Sequence, residues 1–399
     1  MTSTHTTDTL TFTARLGQAL ARYGAPAHRV EDVLHILTHN LDAKGVFSAG
    51  PSLLLMEFWD GQKTEVRMRR IHSNEIDLTR LLALDRLFNQ VSDKNMTPSD
   101  GLIALEEIIK APPRFKPWVD CLAFALTGAA ATPMFGGGVN DMLLGFISGA
   151  SVGIVTHLAH PRLAIPLGGF VAAFLVTLLS TMFSYANIDA VTLSAIIVLV
   201  PGFTITAGVA ELVSHNVTAG VSRLGGALVT ALSLSFGVLW GSAVGSILVD
   251  TSLVVASSPA PHGLVWAMVP VAAITISILF RAPFKQWGWI LLTSALTFGA
   301  IDLASASMRP DLAVFIGGLT LGCASNLHAR LKDVPAGITR MPGLLFLVPG
   351  SLSFLSIQAV MSGQSAEAMA ALGQLTLVAI ALVMSLVVAG SLVPPRKAL

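Results

Sequence analysis

The sequence predicts an α-helical polytopic membrane protein, built as two inverted five-helix repeats behind a small N-terminal α+β domain. Three observations carry this. The 399 residues are 53% hydrophobic and only 12% charged, with a mean hydropathy of +0.72, too apolar for a chain with a fully solvated surface. The charges are uneven, since 28 of the 47 Lys, Arg, Asp and Glu residues fall in positions 1–116. Finally, a four-residue string, Leu199-Val200-Pro201-Gly202, returns as Leu347-Val348-Pro349-Gly350.

The charged part, residues 1–116, reads as a small cytoplasmic domain. Apolar residues at helical spacing over 12–42 are interrupted at Gly24 and Pro26, which predicts two helices joined by a short turn. Val46–Ala49, Leu53–Phe58 and Lys63–Arg70 then read as strands, with Asp60-Gly61 as the tight hairpin turn. Helices are expected near Asp77–Asp93 and Pro98–Lys110, the second opened by Thr97 as N-cap and Pro98 at its first position. Met1 to Thr13 is polar and lacks a basic stretch followed by an apolar one, so it does not read as a cleaved signal peptide.

From residue 117 the apolar spans fall near 117–134, 140–159, 163–183, 188–210 and 219–249, a first repeat within 117–250. A second repeat, within 251–399, has spans near 264–280, 286–306, 310–329, 341–361 and 367–393. At about 1.5 Å per residue each covers a hydrocarbon core of about 30 Å. The connections give an independent check, because Lys and Arg are retained on the cytoplasmic face. One face collects Arg114, Lys116, Arg162, Arg223, Arg281, Lys285, Arg330, Lys332, Arg340, Arg396 and Lys397; the other has Arg309 alone. Both termini are therefore expected in the cytoplasm. Five crossings per repeat turn the second copy over, the inverted architecture recurrent in secondary transporters.

A proline inside a span removes a backbone hydrogen bond, and the glycine beside it eases a break. Two matched breaks near midplane would offer half-helix N-termini to an anionic group such as a carboxylate. The candidate substrate-binding residues are therefore Pro201, Gly202, Thr204 and Thr206 in the first copy and Pro349, Gly350, Ser351 and Ser353 in the second. A kink that serves packing alone is the alternative. Candidates for proton or ion coupling are Asp141, at the start of the second span after a glycine run, and Glu211 with His215 four residues on. The repeat offset carries Asn140 and Asp141 to Gly288 and Trp289, so the second copy has no acidic counterpart. Asp120 and Asp302 sit at span ends, and Asn326 and His328 among small residues suited to helix–helix hydrogen bonding.

Other chemistry is not indicated. Gly149-Ala150-Ser151-Val152-Gly153 matches a nucleophile-elbow string but lies inside an apolar span, where small residues serve close helix packing. His35 and His39 lie at i and i+4 on a predicted helix, a spacing that can bind zinc, but no third or fourth ligand is indicated and the H-E-x-x-H pattern is absent, so no metal and no cofactor is expected. The net charge of +1 and sparse aromatics give no reason to propose nucleic acid. Cys121 and Cys323 lie in apolar stretches and read as buried thiols. No ATP-binding P-loop string is present.

Four segments together, Gly24-Ala25-Pro26-Ala27-His28-Arg29-Val30-Glu31-Asp32, Phe135-Gly136-Gly137-Gly138-Val139-Asn140-Asp141 and the two Leu-Val-Pro-Gly strings, resemble the threonine/serine exporter family over nearly the whole chain. That resemblance implies a cytoplasmic N-terminal domain joined to ten membrane helices in the bacterial plasma membrane. It also implies export of small hydrophilic amino acids such as threonine and serine, driven by the proton motive force, and no enzymatic role. The partners expected are the small-molecule substrate and the lipid bilayer, with a homo-oligomer left open. Two alternatives remain: a dicarboxylate (succinate) exporter of the same fold, and a membrane-anchored hydrolase or sensor acting through residues 1–116. Arg29, Glu31 and Asp32 are expected to make a domain or subunit contact.

Overall fold

In the computed structural model, residues 3–59, 64–71, 75–182, 185–250, 254–255, 257–347, 350–361 and 363–394 are described. Among the described residues helices dominate, and six of them are long and apolar enough to cross a membrane. The hairpin turn expected at Asp60-Gly61 lies outside the described residues, as do Val348, Pro349, Arg396 and Lys397.

The N-terminal region opens with α1 (Ser3–Arg22) and α2 (Ala27–Asn40), separated where Gly24 takes φ +103°. A positive φ of this size favours glycine, and Pro26 cannot continue the first helix, so the chain turns here. Strands β1 (Lys44–Ala49), β2 (Leu53–Trp59) and β3 (Thr64–Arg70) form an antiparallel sheet in the order β1-β2-β3. The pleat sends alternate residues of β2 to opposite faces. Leu54, Met56 and Phe58 are buried, while Leu53, Leu55 and Trp59 face outward. Helix α3 (Leu78–Ser92) is capped by Asp77, which accepts from the Arg80 N–H at 2.9 Å. Helix α4 (Pro98–Lys110) is capped by Thr97, which accepts from the Asp100 N–H at 3.1 Å. Each side-chain cap satisfies an amide that has no carbonyl one turn back.

A first set of helices follows: α5 (Pro117–Met134), α6 (Asp141–Leu158), α7 (Ala164–Ser180), α8 (Ile188–Ile196), α9 (Gly202–Val213) and α10 (Val217–Leu248). The second set is α11 (His262–Leu279), α12 (Phe284–Ser305), α13 (Pro310–Lys332), α14 (Gly337–Leu344), α15 (Gly350–Met361) and α16 (Ser365–Leu392). The six long apolar helices are α6, α10, α11, α12, α13 and α16. The spans expected at 188–210 and 341–361 are each two shorter helices, so neither crosses as one continuous rod. A 12-residue helix reaches only about 18 Å.

Lipid gives helices no hydrophobic reason to associate, so contact depends on close backbone approach at small residues. The α5–α6 pair shows it: a Cβ on Gly128 would lie 2.3 Å from the Gly145 carbonyl oxygen, and one on Gly149 2.6 Å from the Phe124 carbonyl oxygen. The Gly149–Gly153 string is thus part of a helix seam, and Ser151 donates to the Ile147 carbonyl of its own helix at 2.9 Å. The apolar core of the N-terminal region, around Leu16, Leu34, Leu54 and Leu84, runs on into Ala219, Ala282, Ile290, Val334, Ile338 and Met341 of the two helix sets.

Candidate functional site

Ile188–Ile196 is stopped by five residues without regular helix, and Pro201, at φ −78° and ψ 33°, is the N-cap of α9. Having no N–H, Pro201 cannot extend α8, and its ring suits the residue that starts a new helix. The Gly202 N–H turns back to the Val200 carbonyl at 2.8 Å. In the second set α15 begins at Gly350 and ends at Met361, each 148 residues beyond the ends of α9. Sequence repetition and helix boundaries therefore agree.

The breaks face a common cavity of about 500 Å³. Leu199, Val200, Pro201, Phe203 and Thr204 line it from the first set, and Leu345, Leu347, Ser351 and Leu352 from the second. Several of these stand at matching repeat positions: Leu199 with Leu347, Phe203 with Ser351, Thr204 with Leu352. The wall is mostly apolar, and its polar groups are the hydroxyls of Thr127, Thr204, Thr230 and Ser351 and the amide of Gln374. No charged side chain is among the lining residues described. Beside the cavity, the buried hydroxyl of Thr127 donates to that of Thr275 at 2.8 Å, and these two are also 148 residues apart.

Of the expected binding residues, Pro201, Thr204 and Ser351 come together on this wall. Gly202 and Gly350 head the two half-helices. Thr206 is buried and spends its hydroxyl on the Gly202 carbonyl of its own helix at 3.2 Å, away from the cavity wall. Pro349 lies outside the described residues; Ser353 is within α15.

The three coupling candidates lie apart from the cavity. Asp141, fully buried, gathers three loops: its Oδ2 accepts from the Gly138 N–H at 2.8 Å, the Asn187 N–H at 3.2 Å and the Ser257 hydroxyl. Its Oδ1 is buried with no hydrogen-bond partner among the described residues. The glycine run permits this fold, because a Cβ on Gly138 would sit 2.9 Å from the Ser258 carbonyl oxygen. Glu211, also fully buried, is held by Arg223 through two hydrogen bonds of 2.9 and 2.8 Å and by the Ala27 N–H at 3.1 Å. His215 is exposed, with φ 62° at the end of α9. The Glu211–His215 pairing that the i, i+4 spacing suggested is thus replaced by Glu211–Arg223, because the helix ends between the two residues and His215 leaves its face.

The first family-like segment is a contact surface. Glu31 accepts from the Asn216 side chain at 3.2 Å and from the Ala49 N–H at 2.7 Å, tying α2 to the α9–α10 corner and to β1 at once. His28 is pushed below its ordinary pKa by burial first and then by Arg29, against the opposing pull of Asp32 and Glu211. Asn326 donates to the Val393 carbonyl at 2.7 Å and accepts from Arg340 at 2.5 Å, the helix–helix bonding expected of it.

Sequence reasoning passed over Thr127, Thr275, Arg223 and Ile76, the last a residue of the N-terminal region that lines the cavity. The repeat offset applied to every threonine would have flagged Thr127 and Thr275. Nothing local marks Ile76.

Two family models match the chain. One, described as "Putative threonine/serine exporter", covers residues 11–245, and one described as "Threonine/Serine exporter, ThrE" covers residues 265–392. Among curated proteins, an uncharacterized Schizosaccharomyces pombe protein, C7D4.12c, is 28% identical over 85% of this chain and 47% of its own length. Pheromone-regulated membrane protein 10 of Zygosaccharomyces rouxii is 26% identical over 89% of this chain and 38% of its own length. The protein of that name from Saccharomyces cerevisiae is 25% identical, over 89% and 48%. The chain spans less than half the length of these relatives. No solved structure matches it. With the first model alone spanning more than half of its residues, the chain belongs to the threonine/serine exporter family.

Proposed function

We propose that this membrane protein exports small hydrophilic amino acids, threonine or serine, by secondary active transport driven by the proton motive force. The observation that carries the reading is the cavity lined at matching positions by both broken fourth spans. In this reading residues 1–116 are a cytoplasmic α+β domain, and 117–250 and 251–399 are inverted five-helix repeats in a bacterial plasma membrane, both termini in the cytoplasm. The Thr127–Thr275 bond supports the symmetry, since a residue that touches its own repeat counterpart must lie at the pseudo-two-fold axis.

A zwitterion suits this wall better than a dicarboxylate. A dianion buried where no cation is among the described lining residues would go uncompensated, whereas an amino acid carries no net charge. Its carboxylate would meet the α9 N-terminus, and the hydroxyls of Thr204 and Ser351 and the amide of Gln374 supply hydrogen bonds. Asp141, with one oxygen unpartnered among the described residues, is the coupling group best placed to take a proton or an ammonium. Glu211 has both oxygens occupied, and His215 is solvated, so both are weaker candidates.

Proteoliposomes loaded with labelled threonine, serine or succinate test this under an imposed pH gradient. Gradient-dependent loss of threonine or serine is expected, and Pro201→Ala should cut it at least about tenfold while the protein still inserts. Selective succinate loss would transfer the assignment to the dicarboxylate reading. Normal threonine flux in Pro201→Ala would remove the break from the mechanism.

A further inference from the structure

The N-terminal region reaches the cavity itself. Ile76 lines the same space as Pro201 and Ser351, as do Leu279 and Phe280 at the end of α11. The segment that carries it is bonded to the α11–α12 turn. The Leu78 N–H donates to the Phe280 carbonyl at 2.9 Å, and Thr79 donates to the Arg281 carbonyl through its N–H at 3.2 Å and its hydroxyl at 2.6 Å. The Arg281 guanidinium lies 3.4 Å from Glu75 and 3.7 Å from Asp77. Arg281 itself has φ 52°, the left-handed turn of backbone at the point where α11 ends.

The same region grips the first helix set elsewhere. Ala27 donates to Glu211 at 3.1 Å, and Asn216 donates to Glu31 at 3.2 Å, both at the α9–α10 corner. One packed core joins the two attachment points, since Leu16, Leu34 and Leu84 share an apolar cluster with Ala219 of the first set and Ala282 of the second. A body clamped to both sets on one face prevents them from moving apart on that face. The two clamps are unequal. Glu211 is 0% exposed and Glu75 49% exposed, while Arg281 is 24% and Asp77 4% exposed, so the Arg281–Glu75 contact is the more solvated of the attachments and releases first.

We propose that residues 75–79 are the cytoplasmic gate of the solute path, with Ile76 as its plug and the Arg281–Glu75–Asp77 contact as its latch. The inference rests on the exporter reading for the existence of a path, and it gives the N-terminal region a role in transport. Opening breaks the latch and withdraws Ile76, while the Glu211 end remains as hinge. Closing restores both.

Two measurements on the full-length protein test it. In a background of Cys121→Ala and Cys323→Ala, Thr204→Cys places a thiol on the cavity wall, and inside-out vesicles expose the cytoplasmic face to a membrane-impermeant maleimide. Arg281→Gln and, separately, Ile76→Ala should each raise the labelling rate about tenfold. Rates within about twofold of the parent in both variants would overturn the gate. In the same cysteine-free background without Thr204→Cys, the pair Thr79→Cys with Arg281→Cys supplies a lock, because hydrogen-bonded backbones bring Cα atoms within disulfide reach. Oxidation should stop threonine flux and reduction restore it; undiminished flux through the cross-linked protein would also overturn the gate. Faster labelling in Arg281→Gln with no solute flux in any state would defeat the exporter reading and leave the gate standing.

Discussion

Glu211 and Asp141 are both fully buried carboxylates among helix ends, yet their surroundings differ in kind. Glu211 meets a guanidinium in two-point contact and a backbone amide besides, so its charge is compensated and its oxygens are occupied. Asp141 meets two backbone amides and a hydroxyl on one oxygen, and nothing described on the other. Burial alone therefore does not mark a functional acid. What separates a structural charge from a site able to accept a proton or a cation is whether its bonding capacity is already spent.

The largest effect that could break this contrast is on stability. Glu211→Ala strands Arg223, whose side chain is only 14% exposed, and leaves the Ala27 N–H without its acceptor. A loss of about 3–5 kcal/mol is expected, read as a lower melting temperature of the detergent-solubilised protein. Glu211→Leu with Arg223→Met should recover most of it, since a buried pair replaced by apolar groups of similar volume costs little. A Glu211→Ala protein that melts like the parent but no longer transports would reverse the roles assigned to the two acids.

Asp141→Asn should do the opposite. It retains an oxygen for the Gly138 and Asn187 amides while removing the charge, so the loops stay joined and the melting temperature barely moves. Threonine flux is expected to fall about 100-fold, equivalent to about 2.7 kcal/mol. Unchanged flux, with unchanged dependence on the pH gradient, would reduce Asp141 to a loop staple.

The smallest effect sharpens the contrast at the Glu211 end. His28 has a folded pKa below the unfolded value of about 6.5. Between those two values the unfolded chain binds more protons, so the contribution is fully present above about pH 6.5 and is lost as pH falls through that window. Melting temperatures at pH 7.5 and 5.5 should differ by about 1–3 °C more in the parent than in His28→Gln. Equal differences would mean that the groups facing His28, namely Arg29, Asp32, Glu211 and Arg340, absorb its titration.

Much of the architecture was legible residue by residue. Alternation in β2, the capping residue Thr97 and the turn at Gly24-Pro26 each act over a few residues, and each produced the element expected. The broken spans were legible because proline cannot donate a helix hydrogen bond, whatever surrounds it. The Glu211–His215 pairing failed for a local reason that only the helix end reveals: the residue that spacing put on one face lies past the last turn. Thr206 was not legible in the same way, since a hydroxyl in a helix can satisfy itself on the carbonyl four residues back.

The sequence by itself determined the solvent and the plan: a charged start, apolar helices behind it, and a motif repeated after a fixed interval. Those follow from transfer energies and backbone constraints that each residue carries with it. The tertiary structure decided the partnerships: Arg223 for Glu211, Thr275 for Thr127, and Ile76 on a wall made otherwise by the helix sets. Such contacts depend on how each helix is rotated and tilted, which packing against distant segments sets and no single stretch of chain encodes.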